Sequence, residues 1–285
     1  MLKRVLLVKR VLPLIRAMSS LLPISPSSHN SVTIDIGCPT FDHHNLHSSQ
    51  FSSLLTKSVN NFKEEGKSAC WLKLPLKYAH YIPVASDIGF KYHHAEGNQA
   101  TMSLWLKTDI ESRIPRYATH QVGVGGMVLR GKQKNGLPEK ILVIKEVHKV
   151  NNNYKFPGGL ADSGEHFGDV AIREVKEETG IDAEFNSILT IRQTHEVQFG
   201  VSDIYVIALL NPITYNIQKC NYEIEEAIWM DFNEFVKTVQ HPMLKAAIDI
   251  VCGHGTSLTE EEHPNMIPNK PPYKLYHAST KKKKT

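Results

Sequence analysis

The sequence predicts an α/β protein built as two successive units, with a basic leader before them and a short tail after. Three observations carry this. The length of 285 residues suits about two domains at the usual ~150 residues each, and 41% hydrophobic residues suffice for buried cores. Apolar residues recur at helical spacing in some segments and alternate or run together in strand-like fashion in others. At Gln121 the texture changes from mixed helix and strand to mostly strand. The expected division is a leader at 1–34, a small α/β domain at 35–117, a second domain at 118–252 and a tail at 253–285.

The leader is rich in Leu, Val, Ser and basic residues, with Lys3, Arg4, Lys9, Arg10 and Arg16 and no acid. That composition resembles a mitochondrial transit peptide, with cytoplasmic or nuclear residence as the alternatives. Pro13 interrupts a helix there, and Met18 offers an internal start. In the first domain, residues 49–67 read as an amphipathic helix through Phe51, Leu54, Leu55, Val59 and Phe62, stopped by Gly66. Residues 70–76 read as a strand, Tyr78 to Asp87 as a second helix, and FKYHH and TMSLWLK as two short strands around Gly97 and Asn98. His93 and His94 invite a metal reading, but neighbours on a strand point to opposite faces. The expectation is a pair of ordinary hydrogen-bonded histidines.

In the second domain VGVGGMVL and ILVIKEV read as a hairpin-like strand pair. Strands follow at 187–197, 202–210 and 227–232, then a helix from Asn233 to about Val251. Beyond Gly253 the Pro-, Glu- and Lys-rich chain reads as loosely held, although KLYH at 274–277 has the aromatic content to dock. Lys281 to Lys284 would serve as a nuclear address or phosphate-binding tail, and a solvated terminus is the preferred reading.

Charge and cysteine usage exclude several classes. Of 33 basic residues, five lie in the first 34 and four at Lys281 to Lys284, so 24 face all 29 acidic ones and residues 35–280 sum to −5. An acidic body offers no general field for a nucleic-acid backbone, so nucleic acid is not the expected partner. No run approaches the ~18 apolar residues of a membrane span, and no membrane partner is expected. Cys38, Cys70, Cys220 and Cys252 are far apart, with no C-x-x-C pair, which suggests reduced thiols rather than a disulfide framework or zinc site.

The chemistry lies in FPGGLADSGEHFGDVAIREVKEETGI, residues 156–181. Asp169 to Glu178 reads as a helix with Val170, Ala171 and Val175 on its apolar side and Gly180 as its stop. At 100° per residue Glu174, Glu177 and Glu178 share one face within a turn. Like charges so spaced destabilise a helix by about 0.2 to 0.5 kcal/mol per pair, and the helix dipole disfavours anions at this end. A cation offsets both costs, and hard carboxylate oxygens select Mg²⁺ or Mn²⁺ over zinc. The glycines of the preceding loop, Gly158, Gly159 and Gly164, allow close backbone approach to such a site. Arg173 stands beside the acidic face and would orient a carboxylate. A divalent ion with open positions suits attack on a phosphoanhydride.

The same segment matches G-x5-E-x7-R-E-U-x-E-E-x-G-U, with U aliphatic, at Gly159, Glu165, Arg173, Glu174, Val175, Glu177, Glu178, Gly180 and Ile181. It thereby resembles the Nudix family. That resemblance implies an α/β/α sandwich around a mixed sheet, preceded by a small α/β pre-Nudix domain, and hydrolysis of nucleoside diphosphates linked to another moiety. It implies Mg²⁺ or Mn²⁺ held by Glu174, Glu177, Glu178 and the Gly158 carbonyl, with Arg173 and Glu165 in support. It also implies a further catalytic glutamate before the last strand. Glu223, Glu225 and Glu226 are the choices, and Glu223 is favoured by its spacing. GKSACWLKLP, GFKYHHAE, YKFPGGL and KLYH extend the likeness over residues 45–278, where the plan is similar to plant ADP-ribose and NADH pyrophosphatases of the class. The chain lacks the NADH and coenzyme A signatures and the Tyr or Pro about sixteen residues past the box of dinucleoside polyphosphate and ADP-ribose specialists, so an ADP-ribose or NADH type of substrate rests on that similarity alone. Phe199 and Tyr205 are base-stacking choices, although ordinary burial preference favours core or strand positions for both. A homodimer fits the family. A catalytically weak binding or regulatory protein, and an RNA 5′-end pyrophosphohydrolase, are the alternatives.

Overall fold

The computed structural model describes residues 22–39, 41, 46–147 and 153–278. The chain divides into two compact units, Met1–Tyr117 and Ala118–Thr285. Residues 1–21 and the lysines 281–284 lie outside the described residues, so most of the leader and the basic terminus do too. Among the described residues no helix is long and apolar enough to cross a membrane.

The first unit is a five-stranded sheet in the order β1-β2-β3-β5-β4, formed by β1 (Ile24–Ser27), β2 (Ser31–Asp35), β3 (Ala69–Pro75), β4 (Lys91–Glu96) and β5 (Gln99–Trp105). Only β2 and β3 run parallel. Helix α1 (Ser48–Glu64) buries Phe51, Leu55, Val59 and Phe62 into a core with Ile34, Leu72, Leu74 and Met102, as its spacing predicts. The segment expected as one helix from Tyr78 is a 3-10 turn, Leu76–Tyr81, running into α2 (Ile82–Asp87). The leader boundary at residue 34 is corrected. Leu22, Val32 and Ile34 are core residues, and a leader ending at 34 would carry away β1 and β2. Ser- and Pro-rich composition hid a hairpin whose turn residues His29 and Asn30 both take φ of 56°, as a type I′ turn requires.

The second unit is one mixed sheet in the order β11-β7-β6-β10-β9-β12-β13, with β8 also on β6. Its strands are β6 (His120–Arg130), β7 (Lys140–Glu146), β8 (Gly158–Leu160), β9 (Ala183–Thr194), β10 (Ser202–Pro212), β11 (Ile224–Asp231), β12 (Leu258–His263) and β13 (Tyr273–Ala278). Strands β6 and β10 are parallel and the other pairs antiparallel. Side-chain alternation gives each face its own layer. Helix α3 (Phe167–Thr179) packs Val170, Ala171 and Val175 on Val124, Val128, Val206 and Leu210. Helices α4 (Phe232–Thr238) and α5 (Pro242–Val251) pack Phe232, Phe235, Met243 and Ala247 with Met127, Ile141 and Ile207. The result is the expected α/β/α sandwich. Gly126 lets α3 approach so closely that a Cβ there would stand 2.6 Å from Val175 Cγ2.

Two expectations change. The helix from Asn233 breaks because Pro242 holds His241 extended and opens α5, whose first turn is capped by the Met243 N–H donating to His241 Nδ1 at 3.2 Å. The tail is not loose through its described length. Strands β12 and β13 pair with each other, join β9 at Leu258 and Ile188, and lay Tyr276 on Phe167 with ring centroids 5.1 Å apart. Ladder hydrogen bonds and one aromatic contact outweigh an unpromising composition there.

Candidate active site

Residues 158–180 fold as strand, loop and helix for local reasons. Gly158 runs so close to β6 that a Cβ would meet Val124 O at 2.3 Å. Gly180, at φ 74°, ends α3 in the left-handed conformation that glycine adopts without strain. Between them one guanidinium organises the acids. Arg173 donates from Nε and Nη2 to Glu165 at 2.9 Å each, from Nη1 to Glu174 at 2.7 Å and Glu177 at 3.1 Å, and from Nη2 to the Leu160 carbonyl at 3.1 Å. Arg173, with the Asp162 N–H, holds the Glu165 carboxyl down at about 2.

The three helix glutamates occupy different environments. Glu177 has 59% of its side chain exposed. Glu174 is mostly covered, and burial raises its pKa against the opposing pull of Arg173. Glu178 is only 5% exposed and accepts the Gly158 N–H at 2.8 Å. Burial pushes it up to about 7, with Lys155 and that N–H pulling the other way. Lys155 also pairs with Glu146, so two charges beside Glu178 that the motif does not contain belong to the site. The bridge between Ile144 and Lys155 brings them there, a contact no local sequence pattern announces.

Anionic oxygens of this number suit a hard dication, and the burial of Glu178 disfavours its charge until a cation compensates it. Among the described residues no three acidic, His or Cys side chains already converge as a metal cage. Arg173 draws Glu174 and Glu177 to itself instead. The donor chemistry fits a hard divalent cation, with Glu174 and Glu177 gathered on one Arg173 nitrogen beside it.

Comparison with known proteins agrees with this geometry. Residues 22–106 match the Nudix hydrolase domain model and residues 119–249 the NUDIX domain model. The chain is 39% identical over 241 residues to Nucleoside diphosphate-linked moiety X motif 6 of Homo sapiens, covering 81% of this chain and 74% of that protein. The chain belongs to the Nudix hydrolase family. It is also 50% identical over 155 residues to the protein of the same name from Xenopus laevis, covering 54% and 69% of the two chains. Nudix hydrolase 2 of Arabidopsis thaliana is 34% identical over 219 residues, covering 75% and 76%.

Outside the Nudix box the remaining residues sit in different surroundings. Glu223 lies in the turn before β11, near enough that its charge helps raise the Glu174 pKa. Glu226 instead accepts from Tyr154 Oη at 2.8 Å and pairs with Lys145 at 3.2 Å, while Glu225 and Glu223 are both exposed. Phe199 is no core residue: it is 89% exposed on a turn at φ 58°. Tyr205 packs flat on the glycine strand, where a Cβ at Gly123 or Gly125 would meet it at 2.8 Å, and the Arg192 guanidinium lies over it, 5.4 Å from the centroid. Its ring has no face left for a base.

The histidines of the first unit also bring a correction. A bulge between Tyr92 and His94 breaks the alternation of β4, so His93 and His94 meet at an Nδ1 to Nδ1 distance of 2.7 Å. They are hydrogen-bonded, as expected, but not on opposite faces. His93 Nε2 lies 2.8 Å from the Pro115 carbonyl, which only accepts. A neutral His93 therefore accepts at Nδ1 from the N–H of His94.

Proposed function

We propose that the second unit hydrolyses the diphosphate bridge of nucleoside diphosphates linked to another moiety, of the ADP-ribose or NADH type, with Mg²⁺ or Mn²⁺. The observation that carries this is the gathering of Glu165, Glu174 and Glu177 on one arginine, with the buried Glu178 carboxyl held by the Gly158 N–H and Glu223 nearby. In this reading Glu174, Glu177, Glu178 and the Gly158 carbonyl bind the metal. A bound dication supplies charge neutralisation at the phosphoryl oxygens and activation of water.

The chain's own residues supply the rest. Arg173, clamped by Glu165, orients Glu174 and Glu177. The Gly158 N–H fixes Glu178. Glu223, held before β11 where its carbonyl accepts the Val147 N–H at 2.9 Å, takes the proton from the attacking water. A panel of nucleotide diphosphates assayed with each metal tests the substrate class. Glu177→Gln tests the ligand assignment, and wild-type hydrolysis of ADP-ribose and NADH by that variant would overturn it.

A further inference from the structure

The face of the second sheet turned away from α3 carries a polar stack that the hydrolytic reading leaves unused. Its floor is glycine: Gly123 and Gly125 on β6, with the Tyr205 ring laid across them. Arg192 of β9, which pairs in register with Tyr205, places its guanidinium over that ring. Arg192 Nη2 donates to Asp203 Oδ2 at 2.7 Å, and Gln121 Nε2 donates to Asp203 Oδ1 at 3.3 Å. Asp203 is only 5% exposed, so the pin is buried, whereas the Arg192 side chain keeps 37% of its surface.

This arrangement favours one kind of ligand. An arginine meant to anchor phosphate presents an unpaired charge and free donors. Here a buried carboxylate already neutralises the charge, and Nε is buried without a hydrogen-bond partner among the described residues. What remains is a planar, weakly hydrated guanidinium, part-exposed, backed by an aromatic ring and held at its edge by a carboxylate. Such a plane stacks on aromatic rings. The stack adjoins the Nudix box as well, because a Cβ at Gly123, which carries the Tyr205 ring, would lie 3.5 Å from the Gly159 carbonyl.

We propose that the Arg192 guanidinium, pinned by Asp203 and backed by Tyr205, is the stacking platform for the nucleobase of the substrate, and so a specificity-determining residue of this Nudix hydrolase. The inference rests on the nucleotide-diphosphate reading above. It selects for the presence of a base rather than for its hydrogen-bonding edge, since every base has a π face.

The test is binding of AMP and of ribose 5-phosphate, measured by calorimetry with magnesium present, to wild type, Arg192→Lys and Asp203→Asn. Neither ligand has a diphosphate to hydrolyse, so failure of the catalytic reading leaves this measurement intact. Wild type is expected to prefer AMP by about tenfold, the scale of one base stack. Arg192→Lys keeps the charge and loses the plane, so AMP weakens by about tenfold while ribose 5-phosphate stays within about twofold. Asp203→Asn, which loosens the pin, falls between. With ADP-ribose as substrate, Arg192→Lys raises KM and preserves kcat. A wild type that does not prefer AMP, or an Arg192→Lys protein that binds both ligands as wild type does, overturns the proposal. Equal loss of both ligands overturns it too, by making Arg192 a phosphate anchor.

Discussion

The histidine bulge of the first unit and the glutamate helix of the second are both crowded polar clusters, and they resolve crowding in opposite ways. In the bulge each donor meets an acceptor. His93 donates to Pro115, His94 donates to His93, His94 stacks on Tyr117 at 4.0 Å, and Tyr117 Oη donates to Glu96 at 3.2 Å. In the helix a single guanidinium serves Glu165, Glu174 and Glu177, while Glu178 is buried with its charge disfavoured. A closed network holds the chain together, whereas a cluster with surplus like charge is stable only when something else completes it.

The sharpest way to break this contrast is Glu174→Gln. Hydrolysis should fall by about a hundredfold or more, as when one preorganised electrostatic group is lost. Measured in chelator, thermal stability should rise, because the change removes a covered charge whose protonation burial already favours. Loss of metal-free stability with activity retained would place Glu174 in the same class as the histidines. The neighbouring glycines sharpen the same point. A Cβ at Gly159 would lie 2.5 Å from Glu174 Oε1, so Gly159→Ala should displace that carboxylate and cost roughly tenfold in activity with the fold retained. At Gly158 the obstacle is backbone, and Gly158→Ala should cost about 3 kcal/mol of stability by denaturant unfolding.

Proton uptake gives a smaller signal. The Glu178 carboxyl rises from 4.5 to about 7 on folding, so the folded state holds a proton the unfolded chain has lost between those values. Metal-free stability should therefore decline as pH rises through that window and level off above it. Metal uptake requires the anion, so at pH 6 magnesium binding should release about one proton, and at pH 8 far less. Calorimetry in two buffers of different ionisation enthalpy reads this directly. Glu178→Gln should abolish the buffer dependence at pH 6, and its persistence would assign the proton to another group.

Much of the second unit was legible because its determinants are local. The box spacing put Glu174, Glu177 and Glu178 on one helix face, and Gly180 marked the end. The partners of Glu226, Tyr154 and Lys145, were not legible, since only tertiary contact brings them to it. Lys155, Glu146 and the Arg192–Asp203 pair were not legible, because the register of one strand against its neighbour, not residue type, brings them together. Composition misled at both ends. Serine and proline hid β1 and β2, and glutamate, proline and lysine hid β12 and β13, because cross-strand pairing rather than residue type decides a short hairpin. Alternation misled at His93 because one bulged residue reverses it.

The smallest expected effect tests the other half of the contrast. Tyr117→Ala removes the stacking partner of His94 and the donor to Glu96. An exposed aromatic pair and one surface hydrogen bond together give a loss of about 1 kcal/mol, read by denaturant unfolding. Hydrolysis of a nucleotide diphosphate should stay within about twofold of wild type, since losing a contact of a satisfied network changes stability and not chemistry. Tyr117→Phe, which keeps the ring, should recover the larger part of the stability. If Tyr117→Ala instead reduced kcat while unfolding were unchanged, the histidine bulge would act on the reaction, and the division between a cluster that holds the fold and a cluster that performs chemistry would fail.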